Sequence, residues 1–174
     1  METKKYLKSK LPPVVAVVGF SNSGKTTFLE KLIADLKNKG FKIGTIKHDV
    51  HGFEMDKPGK DSWRHKKSGA STTIISNPWQ IGMVKDVDYD TRPDELMAYM
   101  QDMDIVLAEG YKRSDLLKIE IFRSSIHKKP LCMDDKNLIA IICEKNPGMN
   151  IPVFSVNNID KVSSFLINKF KLNI

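Results

Sequence analysis

The chain has 174 residues, 41% of them hydrophobic and 28% charged, a balance that excludes a largely disordered chain and is enough for one well-buried core. Its apolar runs fall far short of the roughly 20 residues of a membrane helix, and the lysine-rich start has no apolar core of a signal peptide. The net charge of +7 is uneven: residues 1–67 hold 15 basic and 7 acidic side chains, residues 68–174 hold 13 and 14, so the first part is the one expected to meet an anion.

Residues 1–12 show no apolar period and read as a flexible basic arm with lysines at 4, 5, 8 and 10. No linker interrupts residues 13–174, which predicts a single domain there. Pro13–Val18 is a short β-branched run bounded by Gly19, hence a buried strand. In Lys25–Lys39 the apolar residues Phe28, Leu29, Leu32, Ile33 and Leu36 share one helical face, and Gly40 supplies the stop. Phe41–Lys47 returns to strand, completing a βαβ unit. His48–Gly59 is a long polar loop, and a short helix runs from Lys60 or Asp61 to Gly69. Ser71–Ser76 and Gln80–Lys85 read as two strands across an Asn77-Pro78 turn.

An acidic turn over residues 86–95 leads to a helix over Glu95–Met103, opened by Pro93 and Asp94. Strands follow at Asp104–Glu109, Lys118–Phe122, Leu138–Cys143 and Pro152–Val156, then an amphipathic helix at Asp160–Phe170. The order predicts an α/β fold: a P-loop NTPase-like, mainly parallel sheet flanked by helices, with a small antiparallel extension near residues 71–85. Cys132 and Cys143 lack CxxC spacing and read as small buried hydrophobes in a reduced, cytoplasmic protein. Trp63 and Trp79 read as partly buried.

Residues 19–26, Gly-Phe-Ser-Asn-Ser-Gly-Lys-Thr, form a complete G-x-x-x-x-G-K-T between a strand and a helix. Gly19 and Gly24 let the backbone curl so that its N–H groups converge on phosphate oxygens, and the helix adds its positive end. Lys25 would reach the β- and γ-phosphates and Thr26 would ligate Mg²⁺. Glu109, at the C-terminal end of its strand, would lie beside this loop and serve the metal directly or through a bound water, whereas Asp104 stands at the wrong end. The loop Lys47–Ser62 gathers many ionisable groups on the same predicted edge, so Asp49, Asp56 or Glu109 could position the metal's waters or the attacking water. His48 and His51 are too few for a closed zinc site.

The segments G-F-S-N-S-G-K-T-T (19–27), I-K-H (46–48), D-x-P-G-K-D-S (56–62), L-A-E-G-Y-K (107–112) and K-I-E-I-F-R (118–123) resemble the B proteins of molybdopterin-guanine dinucleotide biosynthesis, the MobB family. The resemblance spans roughly residues 13–170. It implies a homodimeric GTP-binding protein with weak, Mg²⁺-dependent GTPase activity, assisting the A protein that attaches GMP to molybdopterin. By position it assigns the nucleotide to Gly19, Ser21, Asn22, Ser23, Gly24, Lys25, Thr26 and Thr27, and the metal side to Glu109. Lys47, His48, Asp56, Lys60 and Asp61 would line a second part of the cleft, facing molybdopterin or the partner. Guanine preference rests on the resemblance, because no N-K-x-D signature stands near the C-terminal strands.

Two other readings compete. A small-molecule or nucleotide kinase using ATP would need an arginine-rich lid, yet Arg64, Arg92, Arg113 and Arg123 stand at least ten residues apart. A GTP-gated metallochaperone would need a metal cluster, of which His48 and His51 are the only hint. Assigning Lys25, Lys47, Lys57 and Lys60 to a nucleotide and a second phosphate ester leaves the lysine arm and Lys66-Lys67 unassigned, so nucleic acid is not expected although that leftover charge has room for a larger polyanion, and nothing calls for a membrane.

Overall fold

Three short strands with an unbroken apolar middle, Val14–Val18, Ile105–Glu109 and Leu138–Ile142, can be buried only in a sheet covered on both faces, and that is where they lie. The structure, a computed structural model, describes residues 11–173, so most of the expected basic arm lies outside the described residues. These residues divide into two compact units, one up to His48 and from Pro93 onward, the other Asp49–Arg92.

The first unit holds β1 (Val14–Val18), α1 (Lys25–Asn38) and β2 (Ile43–Lys47) before the break. After it come α3 (Pro93–Leu96), β5 (Ile105–Glu109), β6 (Leu117–Ile121), β7 (Leu138–Ile142), β8 (Val153–Phe154) and α4 (Ile159–Phe170). The strands form one parallel sheet in the order β2-β5-β1-β6-β7-β8. Alternate residues divide its two faces. Val15 and Val17 of β1, with Ile105, Leu107, Ile119, Ile121, Ala140 and Ile142, pack under Phe28, Leu32 and Leu36 of α1 and Val162 and Leu166 of α4. Ala16 and Val18 turn to the opposite face, where Cys132 and Leu138 cover them. Both cysteines are buried and reduced, and burial raises both thiols, Cys132 to about 11.

Among the described residues of the first unit, no long helix covers that second face. The expected helix over Glu95–Met103 shortens to α3 and one 3₁₀ turn at Met97–Tyr99, with Met97 buried against Ile46, Val106 and Ala108. Irregular segments do the rest, and two buried charges on β6 hold them down. The Lys118 ammonium, 0% exposed, donates to the Ser114 and Leu116 carbonyls and pairs with Asp135 at 2.9 Å. The Glu120 carboxylate, also 0% exposed, accepts the backbone N–H of Leu131 at 2.6 Å and of Cys132 at 2.8 Å. Burial raises the Glu120 pKa, against the pull of those two N–H donors, while the hydrogen bond from Lys118 lowers Asp135.

The second unit contains α2 (Asp61–Lys67) and an antiparallel pair, β3 (Thr72–Ser76) and β4 (Ile81–Lys85). Lys66 pairs with Asp86 at 2.6 Å, fastening α2 to the end of the hairpin. Trp79 sits in the turn, where the Asn77 side chain accepts the N–H groups of residues 79 and 80. It is 86% exposed rather than partly buried, because a two-stranded ribbon has no interior at its tip.

Candidate functional site

In a parallel sheet every strand leaves at the same edge, so His48 after β2 and the loops after β1, β5, β6, β7 and β8 share the C-terminal edge of the first unit. The glycine-rich loop follows β1. Gly19 has φ +147°, and a Cβ there would meet the Ile121 carbonyl oxygen at 2.5 Å and Ser23 Oγ at 2.8 Å, so only glycine fits between β1 and β6. Asn22 (φ 61°) and Gly24 (φ 92°) complete the curl in the left-handed region.

Gly24 is the residue before α1 and offers no side-chain cap, and the first turn of α1 holds no acid. The helix therefore opens with uncapped N–H donors and no competing carboxylate, unlike α2 with Asp61 and α4 with Asp160 in the first turn. Ser23 is buried and its hydroxyl has no partner among the described residues. The Lys25 ammonium folds back over the loop, donating to the Gly19 carbonyl at 3.2 Å and the Phe20 carbonyl at 2.8 Å. Ser21, Asn22, Thr26 and Thr27 are exposed along the same loop and helix start.

Thr26 Oγ1 donates to Glu109 Oε1 at 3.3 Å, bringing together the two residues expected on the metal side. Two hard oxygen donors with room beyond them suit Mg²⁺, which takes much of its octahedron from water and phosphate. Asp104 stands at the other end of β5, accepting the Lys42 N–H at 2.7 Å. Among the described residues no group of three or more His, Cys, Asp or Glu could hold a metal by itself.

The segments I-K-H and E-G-Y-K meet here. Lys47 stands level with Glu109 in the β2–β5 pairing, and the His48 N–H donates to the Glu109 carbonyl at 3.0 Å. The His48 ring stacks on Tyr111 with centroids 4.6 Å apart, and the Gly110 N–H donates to the Val17 carbonyl at 3.2 Å. Gly110 (φ +101°) leaves space for His48, since a Cβ would lie 3.2 Å from His48 Cβ. His48 thus braces the backbone that carries Glu109. Gly110→Ala is expected to lower the melting temperature by about 3–6 °C, from roughly 1–2 kcal/mol of backbone strain, as scanning calorimetry would record.

The other expected residues, Asp49, Asp56, Lys60 and Asp61, belong to the second unit. Asp49 accepts the His51 N–H at 2.9 Å, and Asp56 accepts that of Lys57 at 2.8 Å. Lys60 precedes α2 and its carbonyl accepts the Arg64 N–H at 2.9 Å; Asp61 opens the helix and faces Arg64 at 3.8 Å.

Sequence reasoning gave no site role to the segment after β6, although Arg123 closes the K-I-E-I-F-R stretch. Phe20 of the glycine-rich loop stacks on His127 with ring centroids 4.0 Å apart. Arg123, Ser124 and Ser125 join Ser23, Gly24 and Thr27 around a cavity of about 290 Å³ beside the loop. The further signal was R-S-S-I-H-K-K at a parallel strand's exit, a position that gains meaning once strand order is known.

A family model described as "Molybdopterin guanine dinucleotide synthesis protein B", MobB, matches residues 14–144. The chain is 30% identical over 160 residues to the molybdopterin-guanine dinucleotide biosynthesis adapter protein of Escherichia coli K12, covering 89% of this chain and 91% of that protein. It is 32% identical over 158 residues to the adapter protein of Haemophilus influenzae, covering 90% and 88%. A crystal structure of Bacillus subtilis MobB aligns with TM-score 0.71 at 27% identity, over 91% of this chain and 98% of that one. The MobB homologue from Bacillus stearothermophilus aligns with TM-score 0.66 at 26% identity, over 91% and 97%. On sequence and fold alike, this chain belongs to the MobB family.

Proposed function

We propose that this protein is an adapter in molybdopterin-guanine dinucleotide biosynthesis that binds Mg²⁺ and GTP in the β1–α1 loop and hydrolyses the nucleotide slowly. In this reading it works in the cytoplasm as a homodimer beside the enzyme that attaches GMP to molybdopterin. The observation that carries the nucleotide part is the curled loop with Lys25 folded over it and Thr26 bonded to Glu109 at 3.3 Å. The names of the homologues carry the pathway part.

Backbone N–H groups and the Lys25 ammonium would hold the β- and γ-phosphates and stabilise the charge that spreads over the γ-phosphoryl oxygens during transfer. Thr26 and Glu109 would hold Mg²⁺, which supplies further neutralisation of that charge. No nucleophilic side chain is required, because positioning and electrostatics carry phosphoryl transfer to water.

Equilibrium titration with GTP, with and without Mg²⁺, tests this. Tight binding that weakens on chelation is expected, and Thr26→Val is expected to reduce the Mg²⁺ enhancement about tenfold. Absence of nucleotide binding in either condition would refute the reading.

A further inference from the structure

The cavity beside the glycine-rich loop is continuous with the start of α1, through Thr27, Phe28 and Lys31, and extends toward β6 and β7 rather than toward β5. A nucleotide whose phosphates sit in the loop must lay its ribose and base along one side of that helix. The Thr26–Glu109 pair occupies the β5 side, so the open side is this one. At about 290 Å³ the cavity lies near the lower end of small-ligand sites, and its floor is apolar, with Ile142 at the end of β7, Cys143 just after it and Val156 beyond β8. An apolar slot with polar groups at its rim suits a flat heteroaromatic ring.

The rim has a regular origin. Arg123, Glu144 and Val156 each stand two residues past the end of β6, β7 and β8, so the sheet edge presents them side by side. Among the described residues that line the cavity, Glu144 is the one acid. Its backbone is held in place: the Cys143 N–H donates to the Phe154 carbonyl at 2.9 Å, and Cys143 Sγ to the Lys145 carbonyl at 3.3 Å.

We infer that Glu144 reads the base, accepting two parallel hydrogen bonds from N1–H and the 2-amino group of guanine and so selecting guanine nucleotides over adenine nucleotides. A carboxylate is acceptor-only and takes two donors at once, the pattern of guanine's pairing edge. Adenine would turn its N1 lone pair against the same oxygens and offer one donor. The inference rests on the nucleotide-binding reading above and extends it to a specificity residue outside any N-K-x-D signature.

The test measures affinities of the full chain for GTP, ATP and xanthosine triphosphate in Mg²⁺, comparing wild type with Glu144→Gln. Wild type is expected to prefer GTP. Glu144→Gln is expected to weaken GTP about 10- to 100-fold, leave ATP within about twofold, and strengthen xanthosine triphosphate, whose C2 carbonyl can accept from the new amide. Unchanged ATP binding also reports that the variant is folded. Equal wild-type affinity for GTP and ATP, an unchanged GTP-to-ATP ratio in Glu144→Gln, or an equal loss for both nucleotides would overturn the inference while nucleotide binding stands. Failure of wild type to bind any of the three would remove both readings.

Discussion

Lys25→Ala is expected to weaken GTP binding about 100- to 1000-fold without unfolding the protein. The ammonium is positioned over the loop by the Gly19 and Phe20 carbonyls, facing the place where β- and γ-phosphate oxygens would lie. Each charge-assisted hydrogen bond lost there is worth about 1.5–3 kcal/mol, and a lysine bridging two phosphates makes at least two. The two carbonyls left behind are near solvent, since Gly19 and Phe20 are only half-buried, so stability should change by less than about 1 kcal/mol. Titration calorimetry measures the first quantity and thermal melting the second. Undiminished GTP affinity in a folded Lys25→Ala variant would mean that the loop does not hold the phosphates.

Asp135→Ala is expected to destabilise the fold by about 3 kcal/mol. It strips the carboxylate from Lys118, whose ammonium is 0% exposed and cannot reach water. Breaking a buried pair by removing one partner costs about 3–5 kcal/mol, and the lower end applies because the Asp135 side chain is 28% exposed. A loss of about 3 kcal/mol corresponds to a melting temperature lower by roughly 6–12 °C. The pH dependence has a definite sign. The hydrogen bond from Lys118 depresses the Asp135 pKa below its ordinary 3.8, so the stabilisation is full above that value and fades as pH falls through the folded-state pKa. Glu120 works the other way: burial raises its pKa above 4.5, so its contribution is present below that value and lost as pH rises through the folded-state pKa. Denaturant melts of wild type and variant at pH 7 and pH 3 separate the two. A gap that stayed constant between those pH values would show that the ion pair is not its source.

Most of the sheet was legible from β-branched runs because both of its faces are buried, and burial on both sides writes an uninterrupted apolar segment. Val14–Val18 and Ile105–Glu109 are found within a residue of their expected bounds. The glycine-rich loop was legible because its chemistry needs fixed residue types at fixed spacing. Lys118 and Glu120 show where such reading stops. Alternation of Lys and Glu with Ile in β6 has the pattern of a strand with one wet face, yet both charges are fully buried. Their partners, Asp135 and the N–H groups of residues 131 and 132, lie eleven to seventeen residues away in an irregular segment without a periodic signal. The 93–103 region misled for a related reason: Leu96, Met97, Met100 and Met103 do face one core, but over so short a span a 3₁₀ turn satisfies them. Arg123 and Glu144 were invisible as a pair because only the order of strands brings residues so far apart in sequence to one edge.

That same strand order governs when the glycine-rich loop can exist. Neither β1 nor β2 pairs with the other; both pair with β5, and β1 otherwise only with β6. A ribosome must therefore deliver residues 105–109 before the first two strands acquire any ladder. Until then Val14–Val18 is an unpartnered apolar segment with free edges, the kind of stretch that chaperones bind and that misassociates at high expression. The loop most strongly marked in the first 27 residues is consequently among the later features to take shape, and a chain halted before β5 would carry the full motif with nothing to hold it curled.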